Sequence, residues 1–217
     1  MKRSQRVAFC VNRLGVVLLL VQLCAPGLRA QVGQGLLDFN TATEEQLAAL
    51  PHFSQSASQA ILDGRPFESI VEIHAKLMES GLTEEQASEV YGRAFLHINL
   101  NTGTREEILL IPRVAGRMAH EFEEYRPWKA WSQFDREIGK YVGPEETNRL
   151  KQYVFIPLDL NTATSEEFQT IPGVGRRMAH EFEEYRPWKT QEQFQREIGK
   201  YVDEKEVARL WRYVVIP

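Results

Sequence analysis

Towards the end of the chain, apolar positions recur at helical spacing. In MAHEFEEYRPW, Met178, Phe182 and Tyr185 fall at i, i+4 and i+7 with Ala179 beside them, which makes one apolar stripe. Arg177, His180, Glu181, Glu184 and Arg186 lie mainly off that stripe. A helix is therefore predicted from about Arg176 to just before Pro187, because proline lacks a donor and disfavours helix in the residue before it. Thr164 followed by Glu167 has the form of a capping box and predicts a short helix ending near Pro172. Two further helices are predicted over 191–198 and from about Glu204 to Tyr213. No stretch sustains the alternation of a half-buried strand, so the predicted fold class is all-α, built from small helix pairs.

The same pattern returns along the chain. Shifted by 60 residues, LNTGTREEILLIP at Leu100 to Pro112 aligns with LNTATSEEFQTIP at Leu160 to Pro172, and REIGKYV at Arg136 recurs at Arg196. The thirteen residues RMAHEFEEYRPWK at Arg117 to Lys129 reappear unchanged at Arg177 to Lys189. A shift of 61 finds a more divergent copy, FNTATEEQLAALP, at Phe39 to Pro51. Thr104 with Glu107 and Thr43 with Gln46 repeat the capping box. The reading is a tandem array of three units, 31–98, 99–157 and 158–217.

Residues 1–30 have a different character. Lys2, Arg3, Arg6 and Arg13 precede the apolar run GVVLLLVQL, and small residues end at Ala30, the pattern of a secretory signal peptide cleaved after Ala30. The apolar run is too short for a membrane span of about 20 residues, so membrane contact is expected only through this segment if it stays uncleaved. Export to the periplasm or outside the cell is the expected localisation. Both cysteines, Cys10 and Cys24, belong to the segment, so the remaining chain has no disulfide framework. Removing it leaves 21 basic against 30 acidic residues, a net charge of −9, the wrong sign for a whole-surface nucleic-acid binder.

The most informative local stretch is Ile171-Pro172-Gly173-Val174-Gly175, between two short helices. Glycines two apart let the backbone turn tightly and present bare amides at the start of the next helix. There the orphan amides and the positive end of the helix dipole favour a phosphate. Arg176 and Arg177 follow at once, and the set Gly173, Val174, Gly175, Arg176 and Arg177 could hold a backbone phosphate without reading a base.

The run NTATSEEFQTIPGVGRRMAHEFEEYR, followed by Pro-Trp-Lys, resembles the helix-hairpin-helix domains of the ComEA competence family, and the likeness extends less closely over the other two units. The resemblance implies an exported, all-α protein that binds double-stranded DNA without sequence preference, through hairpin amides and the basic residues after them, with DNA uptake as one context. A looser resemblance is to the extrinsic lumenal subunit of photosystem II, which has the same fold and serves as a structural partner, so fold alone does not establish DNA binding. The chain departs from the family pattern at two hairpins. Unit two carries Arg113 and Ala115 at the glycine positions, and unit one carries His52-Phe53-Ser54 with no glycine. A second hairpin in the later half of each unit retains Gly143 and Pro144 in unit two but Tyr201, Val202 and Asp203 in unit three, and is read as a packing turn.

Charge sets unit one apart from the other two. Unit one has three basic against ten acidic residues, unit two nine against nine, and unit three nine against eleven. With the intact hairpin, unit three is where DNA is expected, helped by Gly116 and Arg117 of unit two, with Lys189, Lys205, Arg209 and Arg212 as outer contacts.

Met118, Phe122, Tyr125 and Trp128, with their counterparts Met178, Phe182, Tyr185 and Trp188, have core spacing, which speaks against their stacking on bases. His120 and His180 each stand alone beside a glutamate, without the partners a metal needs. Adjacent glutamates such as Glu123 and Glu124 point to different sides of a helix and form no acid–base pair. No nucleophile elbow, phosphate loop or cofactor motif is present, so the sequence points to a non-enzymatic protein without cofactor or small-molecule substrate. The alternative to DNA is a periplasmic structural or adaptor protein whose repeats bind another protein.

Overall fold

The computed structural model describes residues 32–217; the segment read as a signal peptide, with its cleavage site and both cysteines, lies outside the described residues. The chain is mostly helical. Unit one runs β1 (Leu37–Asp38), α1 (Glu44–Ala48), α2 (Gln55–Gly64), α3 (Ile70–Glu79), α4 (Glu84–Tyr91) and β2 (Ala94–Phe95). Unit two runs β3 (Ile98–Asn99), α5 (Arg105–Leu109), α6 (Gly116–Glu124), α7 (Trp131–Lys151) and β4 (Val154–Phe155). Unit three runs β5 (Leu158–Asp159), α8 (Ser165–Phe168), α9 (Arg176–Glu184), α10 (Gln191–Ile198), α11 (Glu204–Trp211) and β6 (Val214–Val215). Helix α7 is two helices in one: Gly143, at φ 77° and ψ 173°, breaks it just before Pro144, so it takes the place of α10 and α11.

The short strands are the departure from an all-α pattern. Each pairs in parallel the first residues of a unit with its last: Leu37 opposite Ala94, Ile98 opposite Val154, and Leu158 opposite Val214. Two-residue strands are too short to leave an alternation in the sequence, but they close each unit on itself.

Local chemistry explains the rest of the frame. The capping boxes of Thr43, Thr104 and Thr164 all form, with each threonine side chain accepting from the third helical amide and the glutamine or glutamate there reaching back. Just before them, the amides of Asn40, Asn101 and Asn161 are held by Asp38, Asn99 and Asp159. The three asparagine side chains each reach 27 residues along the chain and grip both backbone groups of one residue: Phe67, Trp128 and Trp188.

The repeated RMAHEFEEYRPWK block is explained largely by these contacts. The Trp128 and Trp188 indoles are buried and donate to the carbonyls of Phe122 and Phe182 at 2.8 and 2.7 Å. Arg126 donates to Leu100 and Gly103, and Arg186 to Leu160 and Ala163, satisfying carbonyls at the start of units two and three. Ala119, Phe122, Ala179 and Phe182 are fully buried; a buried phenylalanine of this kind contributes about 1.5–3 kcal/mol. The block is thus a clamp between the second helix and the first turn of its own unit, made twice.

One core spans units one and two, and a second fills unit three. Phe155 contributes to the second core, as does Val32, which forms an antiparallel bridge with Phe155. Residues 32–34, expected to open unit one, lie instead along the junction of units two and three: the Gly33 amide donates to Val154 O at 3.1 Å and Gln34 Nε2 to Thr170 O at 3.0 Å.

Candidate nucleic-acid interface

The three hairpins share a backbone despite their different residues. Gly173 turns with φ 78°, and its counterparts Arg113 and His52 adopt φ 66° and 63°. Loss of glycine therefore did not unmake the turn. Histidine is among the residues that enter the left-handed region more readily, whereas arginine there carries a conformational cost.

The residue after the turn separates the units. In unit one Ser54 is the N-cap of α2, and its hydroxyl accepts from the Ala57 amide at 3.1 Å. The positive end of that helix is already occupied by the chain's own oxygen. In units two and three the N-caps are Ala115 and Gly175, and neither makes a side-chain cap bond. The first amides of α6 and α9 thus have no capping acceptor, since intrahelical bonding starts only at Ala119 to Ala115 O and Ala179 to Gly175 O. A Cβ placed on Gly175 would meet no atom within 4 Å, so the approach to the α9 amides is open. One placed on Gly173 would lie 3.2 Å from both Arg209 Nη2 and Thr41 Cγ2, which ties the turn to α11 and to unit one.

Of the cations expected here, Arg176, Arg177 and Arg117 are exposed, on the first turns of α9 and α6. The Gly116 carbonyl accepts from Arg105, which also pairs with Glu123 at 2.8 Å, so the start of α6 is braced from α5. Arg113 reaches Glu146 at 3.1 Å. Val174 supplies no contact of its own: its side chain is buried and its amide donates to Ile171 O at 3.0 Å. Arg209 is likewise not an outer contact. It is 3% exposed and holds Glu206 through two bonds of 2.7 Å. Arg212 is also withdrawn, donating to His97 O at 3.1 Å and stacking over Tyr213. These two arginines read as surface cations in sequence because helical spacing left α11 without an assigned partner; the partner is unit one. Lys205 remains exposed one turn before Arg209. Lys189 is exposed but lies beyond the far end of α9, about 14 Å along the helix from Gly175 at 1.5 Å per residue.

A groove of ≈ 630 Å³ runs beside the third hairpin, with Gly173 and Gly175 on one wall and Gln34, Asp38 and Thr41 on the other. Behind it lies a buried polar cluster. Asp38 accepts from Tyr213, with His97 Nδ1 3.5 Å away. Burial alone would push the Asp38 carboxyl up, but His97 beside it and the nearby Arg209 and Arg212 hold it below the usual range. His120 and His180 each lie near a glutamate one turn on, Glu124 at 3.8 Å and Glu184 at 3.3 Å.

No family model, curated protein or solved structure matches the chain.

Proposed function

We propose that this chain is a non-enzymatic DNA-binding protein of tandem helix-hairpin-helix type, acting outside the cytoplasm after removal of its leader. In this reading it grips the phosphate backbone of duplex DNA through the amides at the starts of α9 and α6 and through Arg176, Arg177 and Arg117. The observation that carries the reading is the contrast between hairpins. The two units that are not strongly acidic as a whole leave their helix starts uncapped, while the acidic unit fills its own with Ser54. Such contacts position a duplex without reading its sequence. Two modest sites on one chain gain strength by acting together.

The test is fluorescence anisotropy of a labelled random duplex with the chain at low and moderate salt. Binding that weakens steeply with salt, and is much weaker in the Arg176→Glu/Arg177→Glu variant, supports the reading. Absence of binding at low salt rules it out. The remaining alternative is an adaptor that docks another protein, favoured by unit one alone, with its closed hairpin and three basic against ten acidic residues. That role would appear as salt-tolerant, saturable binding of a protein partner.

A further inference from the structure

Two tyrosines stand on the surface of units two and three at matching places. Tyr141 is 39% and Tyr201 37% exposed. Each hydroxyl meets that of the tyrosine ending the second helix of its unit, Tyr125 at 3.1 Å and Tyr185 at 2.9 Å. Arg117 lies 5.7 Å from the Tyr141 ring centre and Arg177 lies 6.0 Å from that of Tyr201. Lys140 donates to Tyr125 at 2.8 Å and sits 4.5 Å from its ring centre, while Lys200 sits 4.9 Å from that of Tyr185. Behind the pairs, Glu121 and Glu181 are buried. Its bonds to Tyr125 and to the Glu121 carboxylate push the Tyr141 phenol up to about 12, so it stays neutral.

Unit one lacks the whole set. In the 61-residue register Arg117, Glu121 and Tyr125 become Ser56, Ala60 and Gly64. Between Leu77 and Leu82 that unit has Met78, Glu79, Ser80 and Gly81, with neither lysine nor tyrosine. Its core is nevertheless kept: Ile61, Phe67, Ile73 and Leu77 are buried where unit two buries Phe122, Trp128, Phe134 and Ile138. Side chains that served only packing would be kept with the core. These are missing from the one unit whose hairpin is closed by Ser54, which links them to whatever the open hairpins hold.

The chemistry of the patch fits an anion. Arg117, Arg136 and Lys140 outnumber Glu121 and Glu137, and the outward groups include an ammonium and a guanidinium, donors for phosphate oxygens, with phenolic hydroxyls beside them. The Lys140 pair with Glu137, at 2.8 Å on the surface, is weak enough to exchange for a phosphate. Through Arg117 and Arg177 the patch is continuous with the first turn of α6 and of α9.

We infer that Tyr141 with Lys140, and Tyr201 with Lys200, form a second phosphate contact beside each open hairpin, so that the chain grips one DNA duplex at two copies of a two-point site. The inference rests on the DNA-binding reading. It also assigns a role to the repeated sequence REIGKYV, whose lysine and tyrosine face outward in both copies.

The experiment measures binding of a labelled random duplex to the full chain across salt concentrations. It compares the wild type, the Arg176→Glu/Arg177→Glu variant, and a fourfold variant with Lys140→Gln, Tyr141→Phe, Lys200→Gln and Tyr201→Phe. The fourfold variant is expected to bind at least about tenfold more weakly at low salt. Its slope of log affinity against log salt should be shallower by about 2, since each lost phosphate contact removes about 0.9. Changes confined to one unit should fall between. Wild-type affinity and slope in the fourfold variant, with the hairpin variant weakened, overturn the inference and leave the DNA reading standing. No binding by the wild type removes both. Circular dichroism checks the fold, and if the tyrosine changes unfold the chain, Lys140→Gln/Lys200→Gln at exposed positions carries the same expected change in slope.

Discussion

The Tyr213 hydroxyl donates to the Asp38 carboxylate at 3.2 Å, across 175 residues of sequence, and joins the first strand of unit one to the end of α11 in unit three. Both groups are buried, and Asp38 also holds the Asn40 amide at 2.9 Å. Because the folded carboxyl titrates below its ordinary value, its stabilising contribution is fully present above the unfolded value of about 3.9. It is lost as pH falls through the lower folded value. Asp38→Asn is expected to cost about 3 kcal/mol at pH 7, the scale for removing one partner from a buried charged cluster. The gap to the wild type should narrow below about pH 4. Urea unfolding at pH 7 and pH 3 checks this, and an equal gap at both would exclude the mechanism.

Hairpin strain gives a second expectation. Arg113 at φ 66° occupies a conformation that glycine takes without cost, and in its pair with Glu146 the guanidinium is largely exposed. Arg113→Gly should therefore stabilise the chain by about 0.5–1 kcal/mol. Gly173→Ala should destabilise it by about 1–2 kcal/mol, since the new Cβ takes φ 78° and presses on Arg209 and Thr41. Thermal unfolding reads both, and the opposite signs are the point of the comparison.

The asparagine clamps should be interchangeable in energy. Asn101→Ala and Asn161→Ala each release both backbone groups of a buried tryptophan, with a cost of about 2 kcal/mol. The two values should agree within about 0.5 kcal/mol if the duplicated block is a structural clamp made twice. Denaturant melts of the two variants measure them; one large and one negligible effect would contradict that account.

The frame of the fold was legible because its signals are local. Thr164 with Glu167, the stripe of Met178 and Phe182, and Pro187 place α8 and α9, and α10 spans 191–198 as the pattern predicts. The turn at Gly173 was legible for the same reason. What escaped depends on contacts distant in sequence. The parallel ladders join residues 56 or 57 apart, and nothing in their two-residue strands announces a partner. Arg209 and Arg212 looked free because their partners, Glu206 apart, come from unit one. Ser54 was visible as a hairpin residue without glycine; the signal passed over was that serine is itself a good N-cap. The outward lysine and tyrosine of REIGKYV were visible as a repeat but carried no motif.

The most direct test of the central claim closes the two open hairpins as unit one closes its own. Ala115→Ser and Gly175→Ser place hydroxyls where Ser54 already satisfies a helix start. The double variant should be more stable, by about 1 kcal/mol from Ala115→Ser and a few tenths from Gly175→Ser. Its affinity for a random duplex at low salt should fall by at least about tenfold. A variant that melts higher yet binds DNA as tightly as the wild type would show that the helix-start amides are not the phosphate site.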